Sequence, residues 1–295
     1  MNACEGSRLQ CIDGILDLAD RYDGFVLDAW GTLHAGGPAL PEALDAVRRL
    51  RERGKRIVVL SNTPQIGPVL ADRLQAQGIP RELYDWPVTA GDLAHEALKA
   101  AVDPRLGGDG RRVFHLAPER FPDLLPGTPF VPVGRVEDAD VVVNGGPARD
   151  DVAIEEFAPL LEAAAARGLT MVCANPDRAI VDKGTRKMCA GELAAVYETL
   201  GGCVLYYGKP FRDVFDRAVE LLRGPRSRIL VVGDGLATDI AGAAAAGLDS
   251  LLVAGGLDAG KLLTAEGNLV PDLEAVVAGL AGRCEARYAL SYLRW

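Results

Sequence analysis

Four short strings along the chain carry residue types that could act together on one anion. They are Asp28 in Asp28-Ala29-Trp30-Gly31-Thr32, Ser61-Asn62, Lys209 in Gly208-Lys209-Pro210, and Asp234 with Asp239 in Gly233-Asp234-Gly235-Leu236-Ala237-Thr238-Asp239. A phosphoryl group moving between oxygens spreads negative charge over its equatorial oxygens. Its catalyst therefore needs hydrogen-bond donors, a cation and a divalent metal more than elaborate covalent chemistry. An aspartate can serve as the nucleophile. Ser61 can donate its hydroxyl, and Lys209 brings a point positive charge. Asp28 and Asp234 can hold Mg²⁺, a hard ion that keeps several waters and takes one or two carboxylates. Singly, each residue also fits a plainer role. Asp28 could cap a turn, Ser61-Asn62 could cap a helix, Asp239 could start the alanine-rich helix behind it, and Lys209 could be a solvated lysine. The four together, in this order and at the ends of apolar runs, argue for the joint reading.

Those runs are the elements that must position the chemistry. Gly24-Phe25-Val26-Leu27 reads as a buried strand delivering Asp28, and Gly31 lets the chain turn sharply beyond it. Pro41 suits the first turn of a helix to about Arg53, with Ala43, Leu44, Val47 and Leu50 on one face, and Gly54 ends it. The run 56–60 is a second buried strand ending at Ser61. Residues 228–232 form a third that ends in Gly233-Asp234, followed by an alanine-rich helix over 239–246 and a short strand at 251–253. In an open α/β sheet ligands bind beyond the carboxyl ends of the strands. The alternation thus predicts a doubly wound, Rossmann-like parallel sheet. The middle of the chain has its own alternation, with strands at 112–116, 139–144 and 170–174, helices around 91–101 and 151–167, and a Pro/Gly-rich connection over 122–134. The organisation expected is a core domain from residues 1–79 and 186–295, with an α/β domain inserted at 80–185.

With 295 residues, 49% hydrophobic and 25% charged, the chain has the composition of a soluble globular protein. A net charge of −9 argues against nucleic acid as a partner, which needs a clustered basic face. Cys4, Cys11, Cys173, Cys189, Cys203 and Cys284 lack paired metal-ligand spacing and read as reduced thiols, which with the absence of a visible signal peptide makes cytoplasmic the expected location. No run of about 18 apolar residues is present, so no membrane span is expected.

The four strings resemble the motifs of the haloacid-dehalogenase (HAD) superfamily of aspartate-nucleophile phosphohydrolases, the most specific being Gly233 to Ile240 with an aspartate at each end of a turn. The helix start after Lys209-Pro210 and the string Ala174-Asn175-Pro176-Asp177 resemble the NagD-like branch, subfamily IIA, whose members carry a large α/β cap between the second and third motifs. Tyr22-Asp23-Gly24-Phe25 and the Asp28-Ala29-Trp30-Gly31 variant resemble a bacterial subgroup of sugar-phosphatase-like proteins in that branch. The resemblance covers about residues 10 to 260. It implies that Asp28 forms an aspartyl-phosphate, that Ser61 and the Asn62 N–H hold phosphoryl oxygens, and that Lys209 neutralises charge. It implies Mg²⁺ on Asp28, Asp234 and the Trp30 carbonyl, with Asp239 completing the shell or orienting its waters. Asn175 and Asp177 fall among the substrate-binding positions, and Arg178, Lys183 and Arg186 lie near the return from the cap. The implied partner is a small phosphorylated metabolite such as a sugar phosphate or nucleotide, and a homodimer is a family-level expectation.

One position departs from the pattern. Phosphatases of the superfamily usually carry a second aspartate two residues after the nucleophile, where this chain has Trp30. That aspartate protonates the leaving alcohol and then activates water, help worth about 10²–10⁴ in rate. An indole N–H is a donor only and cannot replace it. His34, in the loop beyond, is a candidate substitute. The departure also keeps altered chemistry open, either carbon–phosphorus cleavage or phosphoryl transfer, as well as a catalytically impaired phosphometabolite-binding protein.

Overall fold

The computed structural model describes residues 9–106, 108–182 and 185–295; Cys4 and Lys183 lie outside the described residues. A seven-stranded sheet is built from β1 (Gln10–Cys11), β2 (Gly24–Asp28), β3 (Arg56–Ser61), β4 (Trp86–Thr89), β12 (Ile229–Gly233), β13 (Asp249–Val253) and β14 (Tyr288–Leu290). Its order is β1-β14-β13-β12-β2-β3-β4. Every residue of β2 and of β12 is buried, as the continuous apolar runs of parallel strands covered on both faces require. From β2 the chain proceeds to β3 and β4 on one side, and later returns at β12 on the other. The strand order therefore reverses between β2 and β12, the place where ligands gather in such sheets. The two strands run parallel with Leu27 paired to Val232, so Asp28 and Asp234 leave their strands at neighbouring levels.

The second sheet contains β5 (Arg112–Leu116), β6 (Val131–Pro132), β7 (Val141–Asn144), β8 (Thr170–Cys173) and β11 (Cys203–Tyr206), in the order β11-β8-β7-β5-β6. Its pairings are also parallel. One face packs Val142, Met171, Leu161 and Tyr197; the other packs Val113, Val141, Val143, Leu98 and Phe121. The helix Ala90–Ala100 that covers this second face is held at its start by a capping box between Thr89 and Asp92, a feature worth about 1 kcal/mol. Between β8 and β11 lies an antiparallel hairpin of β9 (Ala179–Asp182) and β10 (Thr185–Met188).

The chain divides into two compact units, one of Met1–Leu60, Asp72–Pro87 and Phe215–Trp295, the other of Ser61–Ala71 and Val88–Val214. Beside the expected insertion at 80–185, the second unit takes Ser61–Ala71 and runs over Val88–Val214. Trp86–Thr89 pairs into the seven-stranded sheet, and Cys203–Tyr206 pairs with β8 in the five-stranded one. Edge strands this short carry little apolar signal, so their partners rather than their own sequence assign them. The helix expected over 151–167 is an α-helix only over Ala158–Ala166, after a 3₁₀ turn at Ile154–Phe157. The alanine-rich helix starts earlier than Asp239, with a π turn at Leu236–Ile240 before Ala241–Ala245. No helix among the described residues is long and apolar enough to cross a membrane.

Candidate active site

The parallel strands β2 and β12 bring three carboxylates together. Asp28, Asp234 and Asp239 are all buried, and one carboxylate oxygen from each lies within 4.8 Å of the others. Each arrives by a different local device. Asp28 ends β2. Asp234 follows β12, and its Oδ2 accepts the Leu257 N–H at 2.7 Å from the loop after β13. Asp239 sits in the π turn, where an extra residue per turn re-aims side chains. Its Oδ2 accepts the Gly235 N–H at 3.1 Å and the Thr238 hydroxyl at 3.3 Å. The packing leaves no room for side chains nearby. Gly31, at φ +89°, and Gly256 lie so close to the Asp234 carboxylate that a Cβ at either would run into it.

Three carboxylates at this spacing repel one another in a desolvated site unless a cation lies among them. An all-oxygen donor set is what a hard divalent ion such as Mg²⁺ takes, so the residues present fit such an ion. The Trp30 carbonyl lies in the loop two residues past Asp28.

That loop is built around an aromatic pair. The rings of Trp30 and His34 meet edge to face with centroids 5.3 Å apart, and short bridges join Trp30 to His34 and His34 to Ala39. The Gly31 N–H donates to the His34 carbonyl at 2.8 Å. Burial pushes the His34 imidazole down to about 4, with the Arg73 charge acting in the same direction. Its Nδ1 accepts the Gly36 N–H at 3.1 Å. The edge-to-face contact with Trp30 and the Gly36 hydrogen bond make His34 a brace of the Trp30 loop.

The remaining candidate residues belong to the other unit, and a subset of them meets there. Asn62 is buried, and its Nδ2 donates to Asp177 Oδ1 at 2.8 Å and to the Lys209 carbonyl at 3.0 Å. Its Oδ1 accepts the Lys209 N–H at 2.7 Å. Lys209 is itself only 3% exposed, which excludes the solvated-lysine reading. Ser61 Oγ accepts the Thr63 N–H at 3.3 Å, a turn that leaves the hydroxyl proton for donation. Asn175 accepts the Asp177 N–H through Oδ1 at 3.0 Å and so shapes its own loop. Arg178 pairs with the Glu192 carboxylate at 2.7 Å. Cys173 and Cys189 are buried and their thiols are pushed up to about 12, which makes them inert packing residues. Two features escaped the sequence reading, the Leu257 N–H on Asp234 and the side-chain bonds of Asn62. The doublet Gly255-Gly256 after β13 is the one local signal for the first.

The haloacid dehalogenase-like hydrolase family matches residues 25–128, and the HAD-hydrolase-like family matches residues 206–278. The ribonucleotide monophosphatase NagD of Escherichia coli is 25% identical over 240 residues, covering 79% of this chain and 87% of its own. A haloacid dehalogenase-like hydrolase from Brucella suis, solved by crystallography, is 33% identical with a TM-score of 0.80, covering 96% of this chain and 99% of that one. The glycerol phosphate phosphatase of Mycobacterium tuberculosis, crystallised in complex with magnesium, is 27% identical with a TM-score of 0.65, covering 90% and 79%.

Proposed function

This chain belongs to the haloacid dehalogenase-like hydrolases, in their NagD-like subfamily IIA, and from that premise we propose that it is a Mg²⁺-dependent phosphohydrolase of a small phosphorylated metabolite. The observation that carries the reading is the buried cluster of Asp28, Asp234 and Asp239 at the point where the strand order of the large sheet reverses. Relatives that act on ribonucleotides and on glycerol phosphate support nucleotides and sugar-type phosphates as the substrate class.

Asp28, Asp234 and the Trp30 carbonyl would hold Mg²⁺ with Asp239 completing the shell, and the ion would offset the charge of carboxylate and phosphate when bound. The chain's own residues do the rest. An Asp28 carboxylate oxygen attacks phosphorus, the bond to the leaving oxygen breaks with that oxygen keeping the electron pair and taking its proton from solvent water, and an aspartyl-phosphate forms on Asp28. Ser61 and the Asn62 N–H hold phosphoryl oxygens, and Lys209 neutralises charge; these roles rest on the order of the motifs. Asn175 and Asp177 serve on the substrate-binding side. Water then cleaves the aspartyl-phosphate, releasing phosphate and restoring Asp28.

The test uses p-nitrophenyl phosphate, whose leaving group needs little acid assistance. With Mg²⁺ the chain should turn it over, and Asp234→Asn should lose Mg²⁺ affinity and activity together. Unchanged Mg²⁺ affinity in Asp234→Asn, read by calorimetry, refutes the metal assignment. Trp30 favours a second reading. A chain that binds inorganic phosphate but turns nothing over would be a phosphometabolite-binding protein, and altered group chemistry would show as cleavage of phosphonates but not of phosphate esters.

A further inference from the structure

Two loops of the unit containing Val88–Val214 are held in the same way. The loop after β3, Asn62-Thr63-Pro64, is met by the first turn of the helix Ala90–Ala100, whose Gly91 N–H donates to the Thr63 carbonyl at 3.1 Å. The loop after β8, Asn175-Pro176-Asp177, is met by the first turn of the helix Ala190–Thr199, whose Gly191 N–H donates to the Asp177 carbonyl at 3.0 Å. The helix starts match in sequence, Ala90-Gly91-Asp92-Leu93-Ala94 and Ala190-Gly191-Glu192-Leu193-Ala194. At both glycines a side chain would run into the carbonyl oxygen of the loop proline, Pro64 in one case and Pro176 in the other. Each loop is thus pinned from beneath by a helix.

One side chain joins the pinned loops to each other and to Lys209. Asn62 is 5% exposed, and both amide hydrogens and its oxygen are used, on Asp177 Oδ1, the Lys209 carbonyl and the Lys209 N–H. A side-chain amide that matches both backbone groups of one residue fixes that residue's position and orientation. We infer that Asn62 is a positioning residue whose amide clamps Lys209 between two helix-pinned loops, with Asp177 as the anchor on the far side. This goes beyond donation of a backbone N–H to phosphate, and it rests on the reading of Lys209 as the cation that meets the phosphate.

The full chain with Asn62→Ala tests it. Hydrogen exchange of the segment 207–211 should speed up at least tenfold while the segment around Gly191 keeps its protection, because the Lys209 N–H loses its acceptor. Calorimetry with inorganic phosphate in excess Mg²⁺ should show about tenfold weaker binding in Asn62→Ala. If Asn62 acts through Lys209, the double variant with Lys209→Ala binds no more weakly than Lys209→Ala alone. With p-nitrophenyl phosphate, kcat should fall up to about 10²-fold at an unchanged Mg²⁺ requirement, as for a group displaced by about 1 Å. Asn62→Asp keeps the acceptor for the Lys209 N–H and loses both donors, so it gives a second, isosteric route to weaker phosphate binding. Unchanged exchange at 207–211, strictly additive losses in the double variant, or wild-type phosphate affinity in Asn62→Asp would each overturn the clamp. A wild-type chain that binds phosphate without turnover would overturn the phosphatase reading and leave the clamp standing.

Discussion

At the scale of single residues, the proposed reading turns on Trp30. It stands where the family resemblance implies a general acid, yet its ring packs edge to face on a buried histidine, and the loop bridges onto itself at Trp30, His34 and Ala39. A position with that much local support shapes the site. Restoring a carboxylate with Trp30→Asp would supply a proton donor, but it would also break the stack and add a fourth acid beside three buried ones. The expected outcome is a loss of about tenfold or more in kcat/KM on an alkyl phosphate such as glycerol phosphate. Mg²⁺ affinity should hold, since the carbonyl at residue 30 is kept. General-acid catalysis gains most where the leaving oxygen is most basic. A gain on the alkyl phosphate exceeding that on p-nitrophenyl phosphate would therefore show that the missing acid, and not the indole's shape, limits the enzyme.

At the scale of elements, the loop after β13 is as much part of the proposed metal site as the strands are. The Leu257 N–H holds one oxygen of Asp234, and Gly256 lets the backbone come that close. Gly256→Ala should displace the carboxylate and weaken Mg²⁺ binding by about 10–100-fold, the usual cost of losing an outer partner of a metal ligand. Gly260→Ala, where a Cβ meets open space, is the matched control and should bind Mg²⁺ as the wild type does. Equal affinities in the two variants would remove the loop from the site. This loop also marks where sequence reading stops. Strands β2, β3 and β12 were legible because parallel strands buried on both faces must be apolar throughout, and Asp28 and Asp234 were legible because they end those strands. Strand β4, with Trp86-Pro87-Val88-Thr89, and β11, where only Leu205 is buried, were not, since short edge strands are assigned by what they pair with. A backbone N–H on a carboxylate leaves no residue-type signature. The partners of Asn62 lie 115 and 147 residues away, beyond any local pattern.

At the scale of the whole molecule, the acidic chain should respond to pH through a buried base of the five-stranded sheet. His115 in β5 is 7% exposed on the face that packs Val113 and Leu98, and its Nε2 has no hydrogen-bond partner. Burial alone pushes its imidazole down to about 4. An unfolded histidine titrates near 6.5, so between those values the unfolded chain binds a proton that the folded chain refuses. Stability from this group is complete above about pH 6.5 and is lost as pH falls toward about 4, reaching on the order of 2 kcal/mol at pH 5. Lowering the pH also reduces the self-repulsion of a net charge of −9, which opposes the loss. Asp140 and Asp150 add nothing in this window. Hydrogen bonds and charge from Arg112, and from Lys187 and Arg120, hold their carboxyls below the usual range, so they matter only at lower pH. A comparison with His115→Leu cancels the shared terms, because both proteins carry the same acids. The variant should keep its melting temperature better than the wild type on going from pH 7.5 to pH 5, by about 4 °C or more for the transition that melts the five-stranded sheet. Parallel losses in the two proteins would place the acid sensitivity elsewhere, and a larger loss in the variant would mean that the folded state welcomes the imidazolium.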